Sequence, residues 1–451
     1  MKNLDHIQAF YFIGIGGIGM SALARFVKLQ GKEVYGYDRT ETELTQELEM
    51  EGIRVTYQER VSEIPMIIRN NKNSLVVYTP AIPKDNTLLT WFRSEGFNVI
   101  KRAQFLGEVT RNTLCLAVAG THGKTTTSAI LGHLLADCDM PVTAFLGGIA
   151  ENYNSNFISR GTEITVVEAD EFDRSFLTLS PDIACVTSMD ADHLDVYGDN
   201  HTIESAFQEF VSLLPSRDHL LHKKGLPLGG RSVAVGETAD FEARNVRIED
   251  GRYIFDLKTP SEIIKDLQFV LPGHHNLQNA VTALGMAILA GSPTHCLPKA
   301  LGNFKGVQRR FSYRIKRKDL VLIDDYAHHP TEIDALSQAV NELYPDDRKL
   351  IVFQPHLYSR TKDFIDEFAG SLARFDEVIL LDIYPARELP IEGVTSSWLR
   401  DKIIGKETKL ISKKELPAAI KASGCRIKLI VGAGDIGSEV PKITKYLNDE
   451  A

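Results

Sequence analysis

The sequence predicts an α/β protein of three domains, and three observations predict it. Short apolar runs bounded by turn residues alternate with segments of helical composition along most of the 451 residues. Glycine-rich turns follow such runs directly at 14–19, 120–123 and 432–437. The chain is also longer than one hydrophobic core organises, since single cores stop growing at about 250–300 residues.

Composition narrows the possible functions. A hydrophobic content of 43% and a charged content of 25% are ordinary for a globular protein. With 51 basic against 60 acidic residues the net charge is −9, so no general attraction for nucleic acid or an anionic membrane is expected. The five cysteines are scattered and odd in number and contain no C-x-x-C pair. That argues against a disulfide framework and a zinc site, and fits a reducing cytoplasm. The start, MKNLDHIQ, has an acid where a signal peptide would turn apolar, and the uncharged stretch Ala9 to Ala24 is glycine-dense and too short for a bilayer. No membrane insertion is expected.

In the first domain, placed at residues 1–107, Ala9 to Ile13 reads as a strand. A glycine turn then enters a helix closed by Gly31, and EVYGYD is a second strand ending at Asp38. Gly14, Gly16 and Gly19, with Gly17 between them, satisfy G-x-G-x-x-G, and Asp38 stands where an acid meets a ribose hydroxyl. The domain is Rossmann-like. NAD(P), FAD or another nucleotide's pyrophosphate fits the turn, and so does a structural tight turn. Strands at SLVVYT and NVIKR complete it.

The second domain, 108–308, opens with a strand from Leu114 to Ala119, a turn at Gly120, Thr121, His122 and Gly123, and a helix from Thr125. Backbone N–H groups and the positive end of the helix dipole converge there, which favours a phosphate. Lys124 would reach β- and γ-phosphates and the Thr125 hydroxyl would ligate Mg²⁺, with Thr126 next in the same turn. The loop is G-x-x-G-K-T. The longer G-x-x-x-x-G-K-[ST] spacing would need glycine where Val118 stands. This is a P-loop-type ATPase domain. Two strands then end in acids, one delivering Glu168, Asp170 and Glu171, the other Asp190, Asp192, His193 and Asp195. Such ends beside a phosphate loop suit Mg²⁺, which takes a few carboxylates and fills its remaining positions with water and phosphate oxygens. NVRIEDGRYIFDL reads as a hairpin turning at Asp250 and Gly251. A helix starting near Asn276 has a polar first turn with His275, Asn276 and Asn279, which suits a base, a sugar or a plain N-terminal cap.

The third domain, 309–451, begins with a basic, hinge-like stretch in which Arg309 and Arg310 are either a solvated charge run or a phosphate clamp. Strands and helices then alternate, which predicts a third, parallel, Rossmann-like sheet. Asp324, Asp325, Tyr326 and His328 fall at one strand end, and His356 and Arg360 at another. GAGDIG at 432–437 repeats G-x-G-x-x-G, but the chain ends too soon for an acid-bearing strand to follow, so a second dinucleotide site is not expected.

GTHGKTTT, the EADE run from Glu168, DADHLDVYGD, GHHNLQNA, QRRF, DDYAHHPTE, QPH-x-YSR and GAGDIG, in this order over the whole chain, resemble the Mur ligases of peptidoglycan synthesis. FIGIGGIGMSALA and His122 in the phosphate loop resemble the branch of that family that adds L-alanine. The resemblance implies ATP-dependent joining of L-alanine to UDP-N-acetylmuramate through an acyl phosphate. On that reading Gly14 to Gly19 and Asp38 serve the uridine nucleotide. Lys124 meets ATP phosphates, Thr125 and Glu168 hold one Mg²⁺, and His193 holds a second. Asn276 and Asn279 face the adenine, Arg310 the phosphates, and His328 with Arg360 the reacting ends; the base is His193 or His328. A recycling ligase that attaches a tripeptide to the same nucleotide sugar, and an NAD(P)-dependent oxidoreductase, are the alternatives. One departure stands out: Leu357 follows His356 where the family has an arginine, so Arg360 or Arg387 must supply the cation for the amino acid's carboxylate.

Overall fold

The computed structural model describes residues 6–71, 73–190, 200–386 and 388–448. Their backbone contacts define two compact units, Met1–Val246 with Ile254–Gln268 and Gln278–Lys305, and Arg247–Tyr253 with Phe269–Leu277 and Gly306–Ala451. Among the described residues there are three sheets, the first in the first unit, the second mostly in it, and the third in the second unit.

The first sheet comprises β1 (Ala9–Ile13), β2 (Glu33–Tyr37), β3 (Arg54–Thr56), β4 (Leu75–Tyr78) and β5 (Asn98–Lys101), in the order β3-β2-β1-β4-β5. All its pairs are parallel. The strand order reverses beside β1, so a crevice opens at the carboxyl ends of β1 and β4. Helix α1 (Ile18–Leu29) leaves β1 through the glycine turn, and α2 (Arg102–Thr110) follows β5. Gly107 lies inside α2, and a Cβ there would approach the Thr178 carbonyl to 2.5 Å.

The second sheet has ten strands: β6 (Leu114–Ala119), β7 (Val142–Ala150), β8 (Ser155–Ser159), β9 (Ile164–Ala169), β10 (Ile183–Val186), β11 (Leu220–Lys223), β12 (Arg231–Val235), β13 (Phe241–Glu249), β14 (Arg252–Lys258) and β15 (Ile263–Phe269). β6 lies between β9 and β10, parallel to both, so the phosphate loop that follows it is flanked by the two acid-bearing strand ends. Helix α3 (Lys124–Asp137) begins at the loop. β7 and β8 form an antiparallel hairpin that the sequence reading passes over. The β13–β14 turn at Asp250 and Gly251 has φ of 50° and 73°, the left-handed pair of a tight hairpin.

In the third sheet, β16 (Ser312–Lys316), β17 (Val321–Asp325), β18 (Lys349–Phe353), β19 (Glu377–Leu380), β20 (Glu407–Leu410) and β21 (Ile427–Val431) are arranged β16-β17-β21-β18-β19-β20. Two corrections follow. The stretch expected to be hinge-like contains β16, which pairs antiparallel with β17, so this sheet is not wholly parallel. β20 also escapes the sequence reading, because ETKL is short and largely polar. Helices α4 (His274–Leu289), α5 (Leu297–Asn303), α6 (Pro330–Leu343) and α7 (Tyr358–Asp363) carry further candidate residues or flank them.

Contrary to the expectation from cysteine number and spacing, the chain holds a disulfide. Cys138, after α3, and Cys296, before α5, form a disulfide across 158 residues of sequence, a proximity that no local spacing signals. Cys115, Cys185 and Cys425 are free and buried. Among the described residues, no helix is long and apolar enough to cross a membrane.

Candidate active site

The phosphate loop takes its shape from glycine and from the end of β10. Gly120 has φ +131°, and a Cβ there would collide with the Thr187 hydroxyl; at Gly123, φ +83°, it would lie 2.6 Å from Asn279 Oδ1. Ser188 Oγ accepts the His122 N–H at 2.8 Å and lies 2.8 Å from Thr121 Oγ1. The His122 ring stands 3.6 Å from the Asp190 carboxylate. The Thr126 side chain is buried, so its N–H is what it can offer a phosphate.

Two carboxylates, Glu171 buried and Glu168 partly buried, organise the loop's chemistry. Lys124 Nζ donates to both oxygens of Glu171, at 2.9 and 2.8 Å, and to the Gly120 carbonyl at 2.6 Å. Burial alone would depress the lysine's pKa, but the charges of Glu171, Asp170 and Glu168 outweigh it and hold the pKa above its ordinary value. Glu168 accepts hydrogen bonds from Thr125 Oγ1 at 3.1 Å, Ser128 Oγ at 3.0 Å and the Gly147 N–H at 2.6 Å. Burial pushes its pKa up despite these donors. A desolvated carboxylate beside a hydroxyl and a phosphate loop fits a hard divalent cation, whose charge would offset that penalty. Among the described residues no group of three or more His, Cys, Asp and Glu side chains forms a ready cage. Mg²⁺ held largely by water and nucleotide phosphates needs none.

The N-terminal glycine turn faces the same region. Gly14, φ +84°, and Ile15 donate their N–H groups to the Tyr37 carbonyl, and Gly17 caps α1. Asp38 accepts the Gly16 N–H at 2.8 Å and the Thr40 N–H at 3.2 Å, so its carboxylate braces the turn. Gly19 packs against the Arg102 guanidinium, which would collide with a Cβ at that position. Between the turn and the phosphate loop lies a cleft of about 220 Å³ whose lining includes Gly19, Arg102, Lys124, Gly147, Glu168 and Asp170.

In the second unit, β17 ends at Asp325, whose carboxylate accepts the Phe311 and Ala327 N–H groups at 2.7 and 2.8 Å. The two arginines separate in role. Arg309 pairs with Asp324 at 3.3 Å and fills the space above Gly437, so the GAGDIG loop is packed by protein. Arg310 lies over the Tyr326 ring and 3.9 Å from Glu332. His328 Nδ1 is 2.9 Å from the Tyr326 carbonyl and 3.2 Å from Glu332. Asn276 is buried and donates to the Pro272 carbonyl at 2.7 Å. Arg360, just beyond the end of β18, lies on α7, 6% exposed, with Nη1 3.5 Å from His356 Nδ1. Leu357 starts that helix at φ +71°, a left-handed conformation unusual for leucine.

Three family models match this chain: the Mur ligase family catalytic domain over 9–113, the Mur ligase middle domain over 118–287, and the Mur ligase glutamate ligase domain over 309–435. The chain belongs to the Mur ligase family. A UDP-N-acetylmuramate–L-alanine ligase of Christiangramia forsetii is 59% identical to it, with all of both chains covered. One from Flavobacterium psychrophilum is 56% identical over 99% of this chain and 100% of its own. Among solved structures, UDP-N-acetylmuramate-alanine ligase MurC from Thermotoga maritima superposes with a TM-score of 0.83 at 27% identity, covering 98% of this chain and 100% of that one. A murein peptide ligase from Psychrobacter arcticus, at 20% identity and a TM-score of 0.70 over 97% and 98%, shares the fold.

This Mur ligase thus brings Lys124, Thr125 and Glu168 together, and the first residues of α1 line one cleft with Lys124 and Glu168. His193, Asp192, Asp195 and Arg387 lie outside the described residues. Ser128 and Arg102 escape the sequence reading as site residues, and neither carries a signal; Glu171, one of the acids at that strand end, is the partner of Lys124.

His275 gives a pH prediction. Burial lowers its pKa from 6.5 to about 4, so below about pH 6.5 the unfolded chain takes a proton that the folded chain refuses. Its contribution to stability is complete above pH 6.5 and is lost as pH falls towards 4. Asp325, raised by burial from 3.8 to about 6, works in the opposite sense over its own window. His275→Gln is therefore expected to change the slope of stability against pH between about 4 and 6.5, and to leave it unchanged above 7, in urea titrations taken at each pH.

Proposed function

We propose that this Mur ligase joins L-alanine to UDP-N-acetylmuramate with hydrolysis of ATP to ADP and phosphate, in the cytoplasm, as a step in peptidoglycan precursor synthesis. The observation that carries the reading is the shared cleft: Lys124 and Glu168 line it together with Ile18 and Gly19, the first residues of α1 after the glycine turn. A nucleotide sugar anchored at the turn can therefore meet ATP at the loop. Relatives bearing the alanine-ligase name at 56–59% identity over essentially the full length support the same reading.

A carboxylate forms no amide while oxide is the leaving group. Its oxygen attacks the γ-phosphorus, ADP departs, and an acyl phosphate results. The alanine amine, having lost its ammonium proton to a base, attacks the carbonyl and phosphate leaves. Positioning and charge neutralisation dominate such a transfer. Lys124, released from Glu171, would hold the phosphates, with the loop from Gly120 through Thr121 and His122 to Gly123 and the Thr126 N–H around them. Thr125 and Glu168 would hold Mg²⁺, which neutralises phosphate charge when bound, and His193 a second ion. Arg310 would meet phosphate, Asn276 and Asn279 the adenine, and His193 or His328 would take the proton. We place the three domains at 1–107, 108–308 and 309–451.

Phosphate release tests the reading, measured with UDP-N-acetylmuramate and, in turn, L-alanine, glycine, L-serine and a free tripeptide with an N-terminal L-alanine. L-alanine is expected to dominate; preference for the tripeptide, or no release with any acceptor, would contradict it. For the alanine carboxylate we assign Arg360. Arg360→Ala is expected to raise the KM for L-alanine about 10- to 100-fold, the cost of one hydrogen bond to a charged group, while the KM for ATP changes little. Unchanged alanine dependence would remove the assignment.

A further inference from the structure

We infer that Arg102 is the cation that receives the sugar nucleotide's carboxylate and presents it to the phosphate held over Lys124. This rests on the reading above and adds to it a residue that no motif marks. Arg102 opens α2, and its guanidinium covers Gly19 in the first turn of α1, occupying the space a side chain at position 19 would need. The third glycine of G-x-G-x-x-G thus makes room for a cation here.

Arg102 Nη2 stands 3.5 Å from Asp170 Oδ2, with both side chains partly exposed, at 28% and 38%. As a surface pair this contact contributes little to stability. It is also longer than the roughly 2.7–2.9 Å of a charge-assisted hydrogen bond, so a substrate carboxylate can compete for the guanidinium. Asp170 lies between Glu168 and Glu171 in sequence, and Arg102, Asp170, Lys124 and Glu168 all line the one cleft. The planar guanidinium matches a carboxylate's two oxygens, as an ammonium would not. The start of α1, with its N–H groups and dipole, suits the diphosphate. Arg102, between that start and the phosphate loop, then meets the next anion along the ligand, the lactyl carboxylate that becomes phosphorylated.

Binding to the full-length chain tests this, with UDP-N-acetylmuramate and UDP-N-acetylglucosamine as probes, since the latter has the same diphosphate and no carboxylate. For Arg102→Lys, and for Arg102→Gln, which keeps a polar side chain without the charge, we expect affinity for UDP-N-acetylmuramate to fall about 10- to 100-fold. Affinity for UDP-N-acetylglucosamine and the KM for ATP should stay within about 3-fold, with circular dichroism unchanged. Equal losses for both sugar nucleotides would overturn the inference and assign Arg102 to the diphosphate; no loss for either would also overturn it. Failure of the wild-type chain to release phosphate from UDP-N-acetylmuramate, ATP and L-alanine would remove the underlying reading as well. Normal wild-type turnover with unaffected variants would remove this inference alone.

Discussion

Lys124→Ala is expected to lose ligation by at least about 10³-fold, the scale seen when one cation or oxyanion donor leaves a phosphoryl- or acyl-transfer site. The loop should survive, because its form rests on Gly120, Gly123 and their contacts with Thr187 and Asn279 rather than on the lysine. Stability should nevertheless fall, since Glu171 is 2% exposed and loses its bidentate cation. Removing one partner of a buried pair typically costs about 3–5 kcal/mol. Lys124→Ala/Glu171→Gln should recover much of that stability while remaining inactive. Melting curves and phosphate release measured on both variants separate the two contributions. A single variant with normal turnover, or a double variant no more stable than the single, would contradict the account of this pair.

Glu168→Gln should act in the opposite sense on stability. Burial disfavours the charged form of Glu168 even with three donors around it, so a neutral amide of the same shape is expected to leave the melting temperature unchanged or higher. Turnover is expected to fall about 10²- to 10³-fold, with the Mg²⁺ concentration for half-maximal rate at least about 10-fold higher, because an amide is a poor substitute for a carboxylate at a hard cation. Mg²⁺ titrations of activity run beside thermal melts check both halves. Wild-type Mg²⁺ dependence would return Glu168 to a structural role.

These two residues were legible in the sequence because their chemistry is local. The glycine spacing, lysine and threonine of the loop are contiguous, and strand β9 delivers its acids at the end where α/β sheets gather ligands. What was hidden depends on tertiary proximity. Arg102 is separated from Gly19 by most of the first domain, and Ser128 reads as an ordinary helix residue until Glu168 is opposite it. Asp38 reads from sequence as a partner for a ribose hydroxyl, whereas its hydrogen bond to Gly16, a brace for the turn, depends on tertiary proximity. Cys138 and Cys296 meet only because α3 and α5 pack together. β16 was mistaken for a hinge because its basic residues suggested a solvated run, whereas Arg314 pairs with the buried Asp324 of β17 at 2.9 Å. Helix α7, which carries Arg360, starts at a leucine with positive φ, a conformation that sequence does not announce.

The central claim is that one cleft lets a carboxylate of the nucleotide sugar attack ATP before alanine arrives. UDP-N-acetylmuramate labelled with ¹⁸O in its lactyl carboxylate, turned over with ATP and L-alanine, tests it most directly by mass analysis of the released phosphate. One ¹⁸O per phosphate is the expected result, since the oxygen that attacks phosphorus departs with it. Unlabelled phosphate would contradict an acyl phosphate, and with it the roles assigned to Lys124, Glu168 and Arg102.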